Sequence, residues 1–188
     1  MFSSNCVIVV IAPEISLKSD KVRATFIDLL RENIALSLKR NSVQYEKILF
    51  SKQRFFILTN EIDKTVEILK NCFGVFSLIK SKRKIISSKE KVIEIGKEIF
   101  STEFNSSDSF AIRCKSFNDN IKSRDVEIEL GGKIVESFKL KVNLTKPDKQ
   151  LNILINENFA YYYFNEIVSC KGMPIGAQGY SAIISDNE

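Results

Sequence analysis

The sequence contains no histidine in 188 residues. That removes the Ser-His and Cys-His nucleophile pairs, the usual proton carrier near neutral pH, and the mixed Cys/His zinc sites. Glycine and proline are scarce, at seven and three. Neither GxxxxGK[ST] nor a GxGxxG after a strand-like run is present, so the common phosphate-gripping loops are missing. The four cysteines, Cys6, Cys72, Cys114 and Cys170, form no CxxC pair and read as small core residues in a reducing cytosol. No run approaches 18 apolar residues, so no helix is expected to span a membrane. The opening MFSSNCVIVVIAPE has no basic segment ahead of its apolar one, and no signal peptide is expected. The carboxylates are scattered, and no two of them form an acid/base pair. These absences favour a cytoplasmic binding module, expected to use no cofactor or metal, over an enzyme working through carboxylates or lysine.

What is present is enough for a core. Hydrophobic residues make up 44% and charged residues 27%, which suits one mid-sized domain or two small ones. Charge is uneven. Residues 1–84 carry 15 Lys and Arg against 8 Asp and Glu, whereas residues 85–188 carry 13 against 15. A surplus of +7 in the first part fits a polyanionic partner, or simply a solvated lysine-rich surface.

Apolar β-branched CVIVVIA (6–12) predicts a strand, followed by PEISLK as a loop. Val22, Phe26, Leu30, Ile34 and Leu38 recur at i, i+4, predicting a helix from Ser19 to about Arg40. VQYEKILF and RFFILT, joined by SKQ, predict a hairpin. A helix through Ile62, Val66 and Leu69 and a strand VFSLIKS (75–81) complete β-α-β-β-α-β, the ferredoxin-like unit. The basic stretch KSKRKIISSKEK reads as a boundary, with KSKRK (80–84) as a linker. Beyond it lie a helix (88–103), a strand FAIRCKS (110–116), a helix (123–138) and strands LKVNL (140–144), QLNILIN (150–156) and FAYYYFNEIV (159–168). The fold class expected is α+β, with domains at 1–81 and 82–171 and an exit segment at 172–188.

Arg113 and Lys115 are two apart and share one face of a strand. Lys122 and Arg124 stand at the start of the next helix, where backbone N–H groups favour an anion. The four read as a phosphate cradle, against the alternative of a strand with one wet face. Gly131 and Gly132 lie inside a predicted helix at about 1 kcal/mol each relative to alanine. Close helix–sheet packing or close approach of a ligand backbone would offset that. Lys82, Arg83 and Lys84 form a further basic group, as do Lys18, Lys21 and Arg23. The YYYF run offers rings for base stacking, although in a strand about half of them would face the core.

PEISLKSDKVRATFIDLLRENI resembles the start of the tRNA 4-thiouridine synthases, sulfurtransferases also linked to thiamine biosynthesis, through Pro13, Glu14, Lys18, Arg23, Phe26 and Asn33. FAIRCKS, SRDVEIELGGKIVE and VNLTKPDKQLNILI resemble the THUMP domain of the same enzymes, including the glycine pair and the Lys146–Asp148 turn. GMPIGAQG resembles their Gly-x-Pro-x-Gly-Thr-Gln segment, with Ala177 in place of Thr. The resemblance implies a ferredoxin-like domain followed by a THUMP domain. Together they would bind tRNA at its acceptor stem and single-stranded 3′ end and present it to a catalytic domain or subunit. Gly172, Pro174, Gly176 and Gln178 would form the interdomain hinge. In the family an ATP-gripping Ser-Gly-Gly-x-Asp-Ser loop comes next. Here SAIISDNE places Asp186 where a glycine would stand, so the expectation is a tRNA-binding module that neither binds ATP nor moves sulfur by itself. A protein-interaction or scaffold subunit is the alternative. Both readings leave room for a homodimer.

Overall fold

The computed structural model describes residues 3–103 and 109–179. The chain divides into two compact units. One comprises residues 7–79 with 166–188, the other residues 1–6 with 80–165.

The first unit has the predicted ferredoxin-like order. Strand β1 (Cys6–Ile11) leads into helix α1 (Pro13–Ser16), one turn where a loop was expected. Pro13 starts that turn, where a missing N–H costs nothing. Helix α2 (Asp20–Arg40) buries Leu30, Ile34 and Leu38, while Phe26 is half-buried and Val22 stays exposed. The apolar stripe is therefore fully buried only in its last three members, with Phe26 packed against the core at its margin. Each fully buried leucine or isoleucine contributes about 1.5–3 kcal/mol. Ser19 occupies the N-cap position, but its hydroxyl makes no capping bond. Strands β2 (Lys47–Ser51) and β3 (Arg54–Leu58) pair antiparallel. They turn at Lys52 and Gln53, both left-handed, as a two-residue hairpin requires. Helix α3 (Ile62–Leu69) follows, and then strand β4 (Val75–Ile85). The sheet order here is β2-β3-β1-β4, and β8 (Ile167–Val168) also pairs with β4.

The basic stretch expected to be a linker is strand. β4 runs for 11 residues without interruption, and its residues from Lys80 onward belong to the second unit. There it pairs antiparallel with β7 (Phe159–Tyr163) over Lys82–Ile85. Backbone pairing, not apolar alternation, carries this half of the strand.

The second unit continues with α4 (Lys89–Glu103), β5 (Phe110–Ser116), α5 (Ser123–Phe138) and β6 (Lys149–Asn156). Its sheet order is β4-β7-β6-β5, with β6 parallel to β5. Val92, Ile95, Ile99 and Phe100 of α4 face inward, as their spacing predicts. Residues 140–144 form no strand, only a bridge from Val142 to Phe110. The run 159–168 is broken at 164–166, and β8 returns to the first unit. The units therefore differ from the sequence-based division 1–81 and 82–171 at both ends. The fold class is nevertheless the α+β pair of domains expected.

The units also redistribute the charge. The second carries 16 Lys and Arg against 12 Asp and Glu, the first 12 against 11. The surplus in residues 1–84 came largely from residues 80–84, which β4 delivers to the second unit.

Candidate nucleic-acid interface

β5 is the edge of its sheet. Its pleat turns Phe110 and Ile112 into the core and Arg113 and Lys115 outward, both exposed. The register extends this face across the sheet. Lys115 lies opposite Leu154, Leu154 opposite Tyr161, and Tyr161 opposite Arg83. Arg83 thus shares a face with Arg113 and Lys115, although Leu154 and Tyr161 between them are buried. Its guanidinium lies over the Phe159 ring, 3.6 Å from the centroid. Lys82 and Lys84 pair with Tyr162 and Ala160 and so fall on the opposite face. The strand splits a run that looked like one basic patch.

The edge is protected by the protein itself. Cys114 N–H donates to Glu127 Oε1 at 2.7 Å, and Ser116 N–H donates to Ser123 Oγ at 2.9 Å. Side chains of α5 thereby satisfy outward N–H groups that would otherwise template another strand. The Ser116–Ser123 bond also fixes the start of α5 beside the end of β5. Lys122, the N-cap residue, and Arg124 are exposed there. Lys122 and Arg124 thus stand beside the Ser116 end of β5, whereas Arg113 and Lys115 lie on the sheet face turned away from the core that α5 covers. Lys115 Nζ sits 5.3 Å from the Phe117 ring centroid, next to an aromatic surface that the sequence reading did not single out.

A loop flanks Arg113 at the start of β5. Asn143 Oδ1 accepts from the N–H groups of Thr145 (3.2 Å) and Lys146 (3.0 Å), and its Nδ2 donates to Lys146 O at 2.7 Å. Asp148 accepts from the N–H and hydroxyl of Ser109, at 2.8 and 2.6 Å. Those bonds hold its carboxyl below the usual range. Lys141 and Lys146 are exposed on this loop, as are Val142 and Leu144. The Lys-Pro-Asp turn borders a cleft of about 680 Å³ with Phe164 and Gln150 on its walls. The density of lysine in LKVNLTKPDK was the available signal for these residues.

Gly131 and Gly132 do lie within α5, but packing does not explain them. A Cβ at either position would meet nothing within 4 Å. The close-packing glycine is Gly96 on α4, where a Cβ would stand 2.7 Å from Leu130 Cδ2. Two glycines on an open face leave a side-chain-free notch beside exposed Ile128 and Val135.

Lys18, Lys21 and Arg23 belong to the first unit. Lys18 and Lys21 are exposed. Arg23 is engaged by Asp20 and reaches Ser16 O at 3.4 Å, so its charge is partly spent within its own helix. Gly172, Pro174, Gly176 and Gln178 also sit in the first unit. The three glycines of this tail all take left-handed φ, at +73° for Gly172, +90° for Gly176 and +80° for Gly179, which accounts for their concentration here. Residues 180–188, including Ser185 and Asp186, lie outside the described residues. Among the described residues no cluster of His, Cys, Asp and Glu suits a metal ion, and no helix is long and apolar enough to cross a membrane.

Residues 7–78 match the ThiI ferredoxin-like domain, and residues 87–165 match the THUMP domain. Each match falls inside one of the two structural units. A probable tRNA sulfurtransferase of Saccharolobus islandicus is 30% identical over 182 residues, which cover 94% of this chain and 47% of the relative. The chain thus spans about half the length of that curated relative. Among solved structures, PH1313 from Pyrococcus horikoshii superimposes with a TM-score of 0.82 at 25% identity, over 93% of this chain and 58% of that one. A 4-thiouridine synthetase, solved as an RNA complex with bound ATP, shares the fold with a TM-score of 0.67 at 24% identity, over 94% of this chain and 45% of that one.

Proposed function

Because the chain belongs to the family that joins a ThiI ferredoxin-like domain to a THUMP domain, we propose that it binds tRNA and holds it for modification. The observation that carries this reading is the exposure of Arg113 and Lys115 on β5 and of Lys122 and Arg124 at the start of α5, all in the THUMP-bearing unit. Four exposed cations, two on a strand and two at a helix start, suit a phosphate backbone, because each contact releases condensed counterions. Phe117 and the cleft beside Lys146 and Phe164 offer aromatic surface and a groove to unstacked bases. The acceptor stem and single-stranded 3′ end are the part of tRNA that fits such a site. Gly131 and Gly132 would let a sugar-phosphate backbone approach α5 closely.

The modification itself, transfer of sulfur in the tRNA sulfurtransferases, would be done by a catalytic domain or partner subunit, with this chain supplying substrate binding. The test is a titration with tRNA and with tRNA lacking its 3′ single strand, at several salt concentrations. A protein-docking role rests on one observation, the exposure of Ile128 and Val135 around the glycine notch. Absence of RNA binding at low salt would favour it.

A further inference from the structure

Two motifs that RNA binding leaves unused lie far apart in sequence: Asn33 on α2 and the segment GMPIGAQG. The structure joins them. Asn33 Nδ2 donates to the carbonyl of Ile175 at 3.0 Å, across 142 residues. The chain leading to that point is stapled to the ferredoxin-like unit step by step. β8 pairs with β4 through Ser77 and Val168, and the Ser77 hydroxyl donates to Glu166 Oε1. Ser169 N–H donates to Phe76 O at 3.0 Å, and Lys171 N–H to Val75 O at 2.8 Å. Gly74 N–H returns a bond to Lys171 O at 2.9 Å, and the Ser169 hydroxyl donates to Lys70 O at 2.8 Å.

Pro174 is buried in this arrangement, against Gly74. A Cβ on Gly74 would stand 3.1 Å from Pro174 Cγ and 3.1 Å from Leu30 Cδ1, and its φ of +93° disfavours a side chain in any case. Beyond it, Ala177 N–H closes a turn on Pro174 O at 3.0 Å. A freely swinging hinge would carry none of these bonds.

We propose that residues 166–179 form a strap clasped on the ferredoxin-like unit, and that Asn33 and Gly74 are the positioning residues that hold it there. The chain leaving the THUMP fold would then be handed back to the ferredoxin-like unit. In longer relatives, whatever follows the strap would take its orientation from that unit. Asn33 would set the last fixed point, and Gly74 would give Pro174 its seat. This goes beyond RNA binding and does not depend on it.

The experiment is hydrogen–deuterium exchange on the intact chain, comparing wild type with Asn33→Ala, Asn33→Gln and Gly74→Ala. In the wild type, the amides of Ser169, Lys171 and Ala177 should exchange well below unstructured rates. Asn33→Ala should speed exchange of the 175–179 end about tenfold, the size of one lost hydrogen bond. Protection of Ser169 and Lys171 and of the α2 core should stay unchanged. Asn33→Gln, which retains the amide, should recover part of the effect, and Gly74→Ala should loosen the strap from Lys171 onward. Asn33 is on the surface, so Asn33→Ala reads out even if Gly74→Ala fails to fold. Strap amides exchanging at unstructured rates in the wild type, or an unchanged Asn33→Ala pattern, would overturn the proposal. Loss of tRNA affinity in Asn33→Ala with the strap still protected would also overturn it, by making Asn33 an RNA contact.

Discussion

The Arg113 guanidinium donates to the carbonyl of Leu144 at 2.6 Å. The bond ties the cationic edge strand to the loop that carries Lys141 and Lys146. Arg113 therefore does two jobs in the proposed interface, and Lys115 one. Lys115→Ala should lower the slope of log K against log salt by about 0.7–0.9, the loss of one phosphate contact. Arg113→Ala should lose that contact and also loosen residues 143–146, so its affinity loss should exceed that of Lys115→Ala. Titrations of both variants across salt concentrations check this. Equal losses would mean that the Leu144 bond has no part in binding.

The glycines of the two helices should respond in opposite directions. Gly131→Ala and Gly132→Ala place a Cβ in open space, so each should stabilise the fold by up to about 1 kcal/mol through helix propensity. Gly96→Ala drives a Cβ toward Leu130, which is fully buried. Its overpacking cost of roughly 1–3 kcal/mol should outweigh the same gain. Denaturant midpoints measure all three. If the double variant at 131 and 132 is more stable yet binds tRNA less tightly, the notch belongs to the RNA surface. If binding is unchanged, it does not.

The loop beside Arg113 should depend on acid pH. Ser109 hydrogen bonds hold the Asp148 carboxyl below its ordinary value of 3.8. A depressed carboxylate stabilises the fold above its unfolded value and ceases to do so as pH falls through the lowered one. Loop order should therefore be full at neutral pH and decline below about pH 4. Asp148→Asn should flatten that decline. Exchange of the Lys146–Gln150 amides between pH 3 and 6 gives the measurement.

Thiol reactivity should be selective. Burial pushes Cys72 up to about 11 and Cys114 up to about 12, and Cys6 is buried. Cys170 is exposed. Because the thiolate is the nucleophile, a disulfide reagent at pH 8 should label Cys170 quickly and the others only after unfolding. Rapid native labelling of Cys72 would contradict the burial described here.

Elements with a clear internal period were legible in advance: α2 from its i, i+4 stripe, β5 from its alternation, and α5 despite its two glycines. The second half of β4 was not, because Lys-Ser-Lys-Arg-Lys has no apolar alternation and is held by pairing with β7. The break after Tyr163 falls at Asn165 and Glu166, both disfavoured in strands, but the aromatic and β-branched residues on either side masked it, and the last of them pair on β4. In the site, period 2 was enough to put Arg113 and Lys115 on one face. It could not show that Arg83 joins that face, since that follows from register across three strand pairs. Nor could it show which glycine is packed, because Gly96 and Gly131 look alike until their neighbours are known.

The central claim is that Arg113, Lys115, Lys122 and Arg124 hold the single-stranded end of tRNA. It is tested most directly by titrating the chain with intact tRNA and with tRNA trimmed of its 3′ single strand, each at several salt concentrations. The account predicts salt-sensitive binding to intact tRNA, with a slope worth several phosphate contacts at about 0.7–0.9 each, and clear weakening on trimming. Equal binding of both RNAs would move the site away from the 3′ end, and no binding of either at low salt would contradict the account.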